Sequence, residues 1–122
     1  MLPTEIVARV IEGFNKLDCP HMLVGSFSSN LYGEPRLTND ADIVADWSTL
    51  DVGALGKSLG ANFRIDDQLG FETVTATTKM LIYHSDSSFV IELFCLSDDP
   101  HDQLRFRRRL PADFSGVPSF VQ

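Results

Sequence analysis

The stretch that decides the fold is residues 23–45, LVGSFSSNLYGEPRLTNDADIVA, in which two short apolar runs flank a polar connection. Residues 21–24 are largely apolar and end at Gly25, which predicts a buried strand that runs into a turn. The polar connection predicts a brief helix that ends at Gly33, just before a proline. Residues 41–45 are apolar apart from Asp42 and predict the next strand.

Two acids stand at the start of that second strand. Asp40 and Asp42 are two positions apart, so both side chains point to one face of the sheet, while Ala41, Ile43 and Ala45 point to the core. Two half-buried carboxylates about 6 Å apart repel each other by about 3 kcal/mol at an effective dielectric constant of about 20, a cost that a shared divalent cation removes. Oxygen ligands of this kind suit Mg²⁺ or Mn²⁺. The alternative interpretation is a strand end whose acids are solvated.

A third acid, Glu92, is the only charged residue between Phe89 and Leu96. A lone acid inside such an apolar strand is costly unless it has a partner. If this strand lies beside 41–45, Glu92 completes a cluster of three carboxylates. The alternative interpretation is an acid on an edge strand that is paired with a cation such as Lys79.

A candidate phosphate site precedes the acids. Gly25 and Ser26 follow a strand and open a helix, where backbone N–H groups can hold a phosphate and where glycine lets the backbone approach closely. Most turns of this kind bind nothing, so the downstream acids are what favour a phosphate site. Arg36 is a candidate to neutralise the same anion, and a surface pair with Glu34 is its alternative.

The remaining sequence predicts helices and strands on both sides of this stretch. Apolar residues at helical spacing predict a helix over 4–17, and the run 48–49 predicts the cap of a helix that ends at Gly60. A last helix is predicted over 101–109, with acid at its start and arginine at its end. Strands are predicted over 61–65, 71–76, 78–84 and 88–96. This order predicts an α+β fold with a small mixed β-sheet backed by helices.

Length and composition bound the function. A chain of 122 residues has room for one domain. The net charge of −7 argues against broad binding to a phosphate backbone or an anionic membrane, so an anionic substrate must be held locally. The two cysteines, Cys19 and Cys95, are too few for a disulfide scaffold, which predicts a reducing, cytoplasmic location. No stretch is typical of a signal peptide or a membrane span.

Residues 105–109, RFRRR, form one basic run in this acidic chain. One interpretation is a solvated helix end whose charge complements the helix dipole. The other is a contact for phosphate or RNA, and it is the contact we expect if the acceptor substrate is a nucleic acid.

Taken together, three motifs resemble the signature of the nucleotidyltransferase superfamily related to DNA polymerase β: apolar-Gly25-Ser26, Asp40-Ala-Asp42-Ile and a later apolar-Glu92-apolar. The flanking residues 31–38, LYGEPRLT, look most like the AbiEii-type nucleotidyltransferase toxins and their uncharacterised relatives. The likeness is specific in 23–46 and, to a lesser degree, in 89–94. The resemblance implies a single nucleotidyltransferase-like domain over 1–122.

The resemblance also implies a reaction. Gly25 and Ser26 would bind the triphosphate of an NTP, Asp40 and Asp42 would hold two Mg²⁺ ions, and Glu92 would ligate one of them and help to deprotonate the acceptor. A nucleoside monophosphate would pass from the NTP to a hydroxyl of a tRNA, a protein or a small molecule, with release of pyrophosphate. An antitoxin is an implied partner. The alternative is a catalytically inactive domain of the same fold that binds a nucleotide or a protein.

The sequence departs from the family in two places. Position 92 is glutamate where many relatives have aspartate, which lengthens the reach by one methylene. Relatives continue past a strand such as 117–121 into another helix, often with a lysine that helps to bind nucleotide, whereas this sequence stops at Gln122. Three interpretations stay open: a domain truncated at its C-terminus, a naturally minimal domain, and a copy that binds without catalysing.

Overall fold

Three α-helices and seven strands lie along residues 3–25, 40–72, 77–114 and 116–121, the part of the chain that this computed structural model describes. The predicted brief helix between Ser26 and Gly33 lies outside these ranges. In chain order the elements are α1 (Pro3–Lys16), β1 (His21–Val24), β2 (Asp40–Ala45), α2 (Val52–Leu59), β3 (Phe63–Glu72), β4 (Thr77–His84), β5 (Val90–Cys95), α3 (Pro100–Arg107), β6 (Leu110–Phe114) and β7 (Val117–Val121).

The seven described strands form one sheet in the order β3-β4-β5-β2-β1-β7-β6. β2 is parallel to β5, and β1 is parallel to β7, whereas the other neighbouring strands are antiparallel. The predicted α+β class with a mixed sheet is therefore confirmed. Because β2 and β5 are neighbours in the middle of the sheet, the two acid-bearing strands lie side by side.

One face of the sheet packs on α1 and α2. Its centre is a row formed by Leu23, Ile43 and Leu93, which oppose one another across β1, β2 and β5 and are each 0% exposed. The helices complete the core with their apolar stripes: Ile6, Val7, Val10, Ile11 and Phe14 from α1, and Leu55 and Leu59 from α2. Since successive side chains of a strand point to opposite faces, Asp42 and Glu92 point away from this core.

Local acids determine where the later helices begin. Asp51 caps α2 by accepting a hydrogen bond from the amide of Ala54. The predicted cap at 48–49 is wrong, because these residues belong to a separate 3-10 turn that Asp46 caps. Asp99 caps α3 by accepting hydrogen bonds from the first amides of the helix, in agreement with the acid predicted at its start.

Two parts of the strand prediction differ from the structure. Residues 63–65 and 71–72 of the two predicted strands 61–65 and 71–76 belong to one strand, β3, which continues through a register shift between Asp66 and Gly70. Residues 73–76 of the second predicted strand lie outside the described residues. Strand β6 was not predicted. It contains Pro111, which a central strand would not tolerate, but β6 lies at the edge of the sheet, where a missing N–H is harmless.

Neither described cysteine forms a disulfide: Cys19 is a buried free thiol, and Cys95 is a half-buried one. Among the helices of the described ranges, none combines the length and the hydropathy that crossing a bilayer requires.

His21 joins three elements inside the fold. Its ring stacks on Phe14 of α1, at 5.3 Å between centroids. Its Nδ1 donates to the carbonyl oxygen of Cys19 at 3.1 Å, so Nε2 is the acceptor that faces the Ser119 hydroxyl of β7 at 3.4 Å. Burial lowers the pKa of His21, the Cys19 carbonyl opposes this shift, and the charge of Arg109 lowers the pKa further.

The lowered pKa of His21 is expected to reduce the stability of the folded protein in acid. Because its folded pKa lies below the ordinary value of about 6.5, the unfolded chain takes up the proton first, and the stability contribution is lost as the pH falls below that value. Between pH 7.5 and pH 5.5 we expect the urea midpoint of the unmodified protein to fall relative to that of His21→Gln, which has no such proton to gain. An identical pH dependence of the midpoint in the two proteins would contradict the assignment of a neutral, buried His21.

Candidate functional site

Two of the three predicted acids meet on the half-exposed face of the sheet. The parallel register of β2 and β5 places Asp42 directly beside Glu92, close enough that, in addition to burial, hydrogen bonding and charge from Glu92 raise the pKa of Asp42. Asp40 lies on the same face, opposite Val90, but at the exposed end of β2. The structure therefore brings together a carboxyl pair with a third acid one step along the strand.

The carboxyl pair is electrostatically strained. Burial raises the pKa of Asp42 to about 7, and the hydrogen bond and charge of Glu92 and the charge of Asp40 act in the same direction, against the opposing charge of Lys79. In addition, Oδ1 of Asp42 is buried and has no hydrogen-bond partner among the described residues. Without a cation, Asp42 thus keeps its proton up to neutral pH.

Lys79 of β4 contacts the other side of the pair. Its Nζ lies 3.5 Å from Oε1 of Glu92, and the two side chains are 25% and 26% exposed. The pairing that the sequence offered as an alternative for Glu92 is therefore present together with the contact to Asp42. One positive charge beside three acids leaves the group negative in total.

Gly25 closes the site on the β1 side. Val24 of β1 opposes Asp42 of β2, and the next residue, Gly25, has a φ of +75°. A Cβ atom at Gly25 would lie 2.8 Å from Oδ2 of Asp42, closer than real Cβ contacts come. Glycine is thus needed here for both the backbone conformation and the approach to the carboxylate. The other predicted phosphate contacts, Ser26 and Arg36, lie outside the described residues.

We expect Gly25→Ala to disturb the site, in addition to the free-energy cost of placing a residue with a Cβ atom at a positive φ. A positive φ costs a residue with a Cβ about 1–2 kcal/mol, and the new methyl group must also displace the Asp42 carboxylate. Gly116→Ala is the matched control, because Gly116 has a φ of +83° and nothing within 4 Å of the position that a methyl group would take. Urea unfolding should show a loss of about 1–2 kcal/mol in both variants. We expect Mg²⁺ to raise the melting temperature of Gly116→Ala but not that of Gly25→Ala. An equal Mg²⁺ response in both variants would contradict the prediction.

The donor set fits a hard divalent cation. The described residues contain no group of three or more His, Cys, Asp or Glu side chains that could hold a metal ion by themselves. Mg²⁺, however, commonly uses one or two carboxylates, keeps several waters and takes its other ligands from substrate phosphates. The unpartnered Oδ1 of Asp42 and the crowding of its carboxyl group against Glu92 are the two observations that favour such an ion.

The basic run divides into different environments. Arg105 pairs with Asp102 on α3, and Arg109 lies over the rings of Phe106 and Phe120 and donates to the Phe106 carbonyl. The other two arginines of the run 105–109, Arg107 and Arg108, are exposed and can contact another molecule.

Some residues beside the acids were missed by reasoning from the sequence. Met22, Val24, Val44 and Phe94 share the face of Asp42 and line a cavity next to it. The sequence did contain a signal for them. Strands 21–24, 41–45 and 88–96 carry apolar residues on both faces, although packing against the core needs them on one face only.

Comparison with protein-family models gives no match for this chain, and comparison with curated proteins gives none either. A function must therefore be inferred from the geometry of the site.

Proposed function

We propose that this protein is a nucleotidyltransferase of the superfamily related to DNA polymerase β, which transfers a nucleoside monophosphate from an NTP to an acceptor hydroxyl. The observation that carries the proposal is the contact between Asp42 and Glu92 on adjacent parallel strands, with an unpartnered carboxylate oxygen on Asp42. The position of Gly25 against the same carboxylate supports it.

Each side chain then has a defined task. Asp42 and Glu92 hold Mg²⁺ or Mn²⁺, with Asp40 reaching a second ion. Such ions, when bound, neutralise charge on the phosphates and on the leaving group. Gly25 lets the phosphates approach the backbone of the turn, and we place Ser26 and Arg36 at the same phosphates on the strength of the family resemblance.

The bond changes are those of an in-line displacement. The acceptor oxygen forms a bond to the α-phosphorus, and the bond from that phosphorus to the bridging oxygen of the β-phosphate breaks. Pyrophosphate leaves with the electron pair, and the proton of the hydroxyl passes to a carboxylate of the site, for which Glu92 is the proposed acceptor. Positioning and charge neutralisation are what this kind of transfer requires.

Labelled nucleotides test the proposal directly. Each labelled NTP is incubated with the protein, Mg²⁺ or Mn²⁺, and candidate tRNA or protein acceptors, and label on the acceptor is measured. We expect transfer to be lost in the double variant of Asp40→Asn and Asp42→Asn. The double variant of Asp18→Asn and Asp86→Asn removes two exposed acids elsewhere and should retain transfer. Transfer that survives in the first double variant would refute the assignment.

The ion pair between Lys79 and Glu92 favours a second candidate, a catalytically inactive domain that binds a nucleotide. An acid already balanced by a lysine is stable without a metal ion. A ligand at a hundred times its dissociation constant adds about 2.7 kcal/mol of stability. A rise in melting temperature with NTP and Mg²⁺, but without transfer to any acceptor, would favour this candidate. For either function we place the protein in the cytoplasm and propose an antitoxin as a protein partner.

A further inference from the structure

A cavity of about 220 Å³ lies beside the carboxyl pair, between the half-exposed face of the sheet and α3. Its sheet side is apolar and is formed by Met22, Val24, Val44 and Phe94, while the polar residues Ser97, Asp102 and Arg105 border it on the side of α3. Val24 is also the residue that opposes Asp42 across β1 and β2. The cavity therefore extends to the line of residues across β1, β2 and β5 that contains Asp42 and Glu92.

The cavity and Gly25 flank the carboxylates from opposite directions. Val24 of β1 lies beside Asp42 of β2. Along β1, Gly25 is the next residue after Val24, and Met22 is two residues before it. Met22, Val44 and Phe94 form the next row in the direction of the cavity, at about 7 Å for two residues of strand. Anything bound in the cavity thus approaches Asp42 from the side remote from Gly25.

We propose that this cavity is the acceptor subsite and that it binds an acceptor whose hydroxyl is carried on an aromatic ring, as in a phenol. The inference rests on the proposed function. If the phosphates of the NTP lie at Gly25, the leaving pyrophosphate lies on that side, and an in-line attack brings the acceptor from the other side. The cavity lies on that side of Asp42, away from Gly25.

The lining selects a ring rather than a sugar or a polyanion. The polar groups on the α3 side already bond to one another, because Asp102 accepts from both Ser97 and Arg105. On the sheet side, carbohydrate hydroxyls would lose hydrogen bonds to water against Val24, Val44 and Phe94, which offer no side-chain partner. Arg105, the cation at the cavity, is already paired with Asp102, and the chain has a net charge of −7. Ligand cavities for larger organic molecules measure about 300–1,000 Å³, so about 220 Å³ suits a single ring system.

The test uses p-cresol as the probe, followed by the amide signals of the labelled protein in heteronuclear NMR, with glucose as the polar control. Val44→Phe fills the cavity. Val90→Phe makes the same change on the same face of the sheet, at a residue outside the cavity lining. We expect p-cresol to shift the signals of Met22, Val44 and Phe94, and its dissociation constant to rise at least tenfold in Val44→Phe and less than twofold in Val90→Phe.

A second measurement needs no variant. Mn²⁺ added to the unmodified protein should enhance the relaxation of p-cresol, because a ring in the cavity lies close to the carboxyl pair. The proposal is overturned if p-cresol binds equally to both variants, if it shifts signals elsewhere only, or if glucose produces the same shifts. If p-cresol binds at Val44 while ATP with Mg²⁺ leaves the melting temperature unchanged, the ring subsite stands and the nucleotidyltransferase function fails. If ATP with Mg²⁺ binds and p-cresol does not, the acceptor inference alone fails.

Discussion

Asp42→Asn is expected to stabilise the metal-free protein at pH 8 and, at the same time, to abolish the proposed nucleotidyl transfer. Burial and the neighbouring Glu92 raise the pKa of Asp42 to about 7 from its ordinary value of 3.8. The folded chain therefore binds this proton more tightly than the unfolded chain, and stability is lost as the pH rises through about 7. An asparagine carries no charge at any of these pH values.

The size of the gain follows from the shift. Three pKa units at about 1.4 kcal/mol each set an upper bound of about 4 kcal/mol. Water around the half-buried side chain screens part of the repulsion, so we expect about 1–2 kcal/mol, or about 5 °C in melting temperature. The difference between the two proteins should shrink as the pH falls below 7 and should vanish below the ordinary pKa of 3.8, where Asp42 is protonated in both the folded and the unfolded state.

The rate of nucleotidyl transfer, in contrast to the stability, should fall in Asp42→Asn. Loss of one charged ligand from a preorganised site is expected to cost about a hundredfold or more in rate. Asp86→Asn, which removes an exposed acid from the turn after β4, should change neither quantity. The prediction fails if Asp42→Asn is less stable than the unmodified chain at pH 8, since the carboxyl pair would then be favourable without a cation.

Ile43→Ala is expected to cause the largest loss of stability. Ile43 is 0% exposed and stands between Leu23 and Leu93 in the row behind the carboxyl pair. Truncating such a side chain removes buried apolar area and leaves a cavity, which costs about 2–5 kcal/mol out of a total stability of about 5–15 kcal/mol.

A graded series checks this cost by urea unfolding. Ile43→Val should lose about 0.5–1.5 kcal/mol. Leu110→Ala should lose little, because Leu110 is 61% exposed on the edge strand. A loss in Ile43→Ala no greater than that in Ile43→Val would mean that the central row is loosely packed and does not hold β2 in place.

Much of the fold was predictable because the patterns are local. Helical spacing of apolar residues predicted α1 within one residue of its observed bounds, and the alternation in 41–45 predicted that Asp40 and Asp42 share the face opposite the core. The pairing of β1 with β7 was not predictable, because Leu23 and Val121 are far apart in sequence and no local pattern links them.

The site was predictable in its residue types but not in its arrangement. Three acids were expected to form one cluster, yet Asp42, and not Asp40, stands beside Glu92. A shift of one residue in the pairing of β2 and β5 would have turned one of the acids to the core face. Register is a property of the whole sheet, so neither this contact nor the adjoining cavity could be obtained from 23–45 alone.

The parallel pairing of β1 with β7 has a consequence for the time at which the protein is made. β1 leaves the ribosome early, but the strand that covers its second edge follows only after roughly a hundred further residues. At about 5–20 residues per second, synthesis of that interval takes about 5–20 s. During this time the strand that leads into Gly25 presents an open row of N–H and C=O groups, which is a template for pairing with other nascent chains.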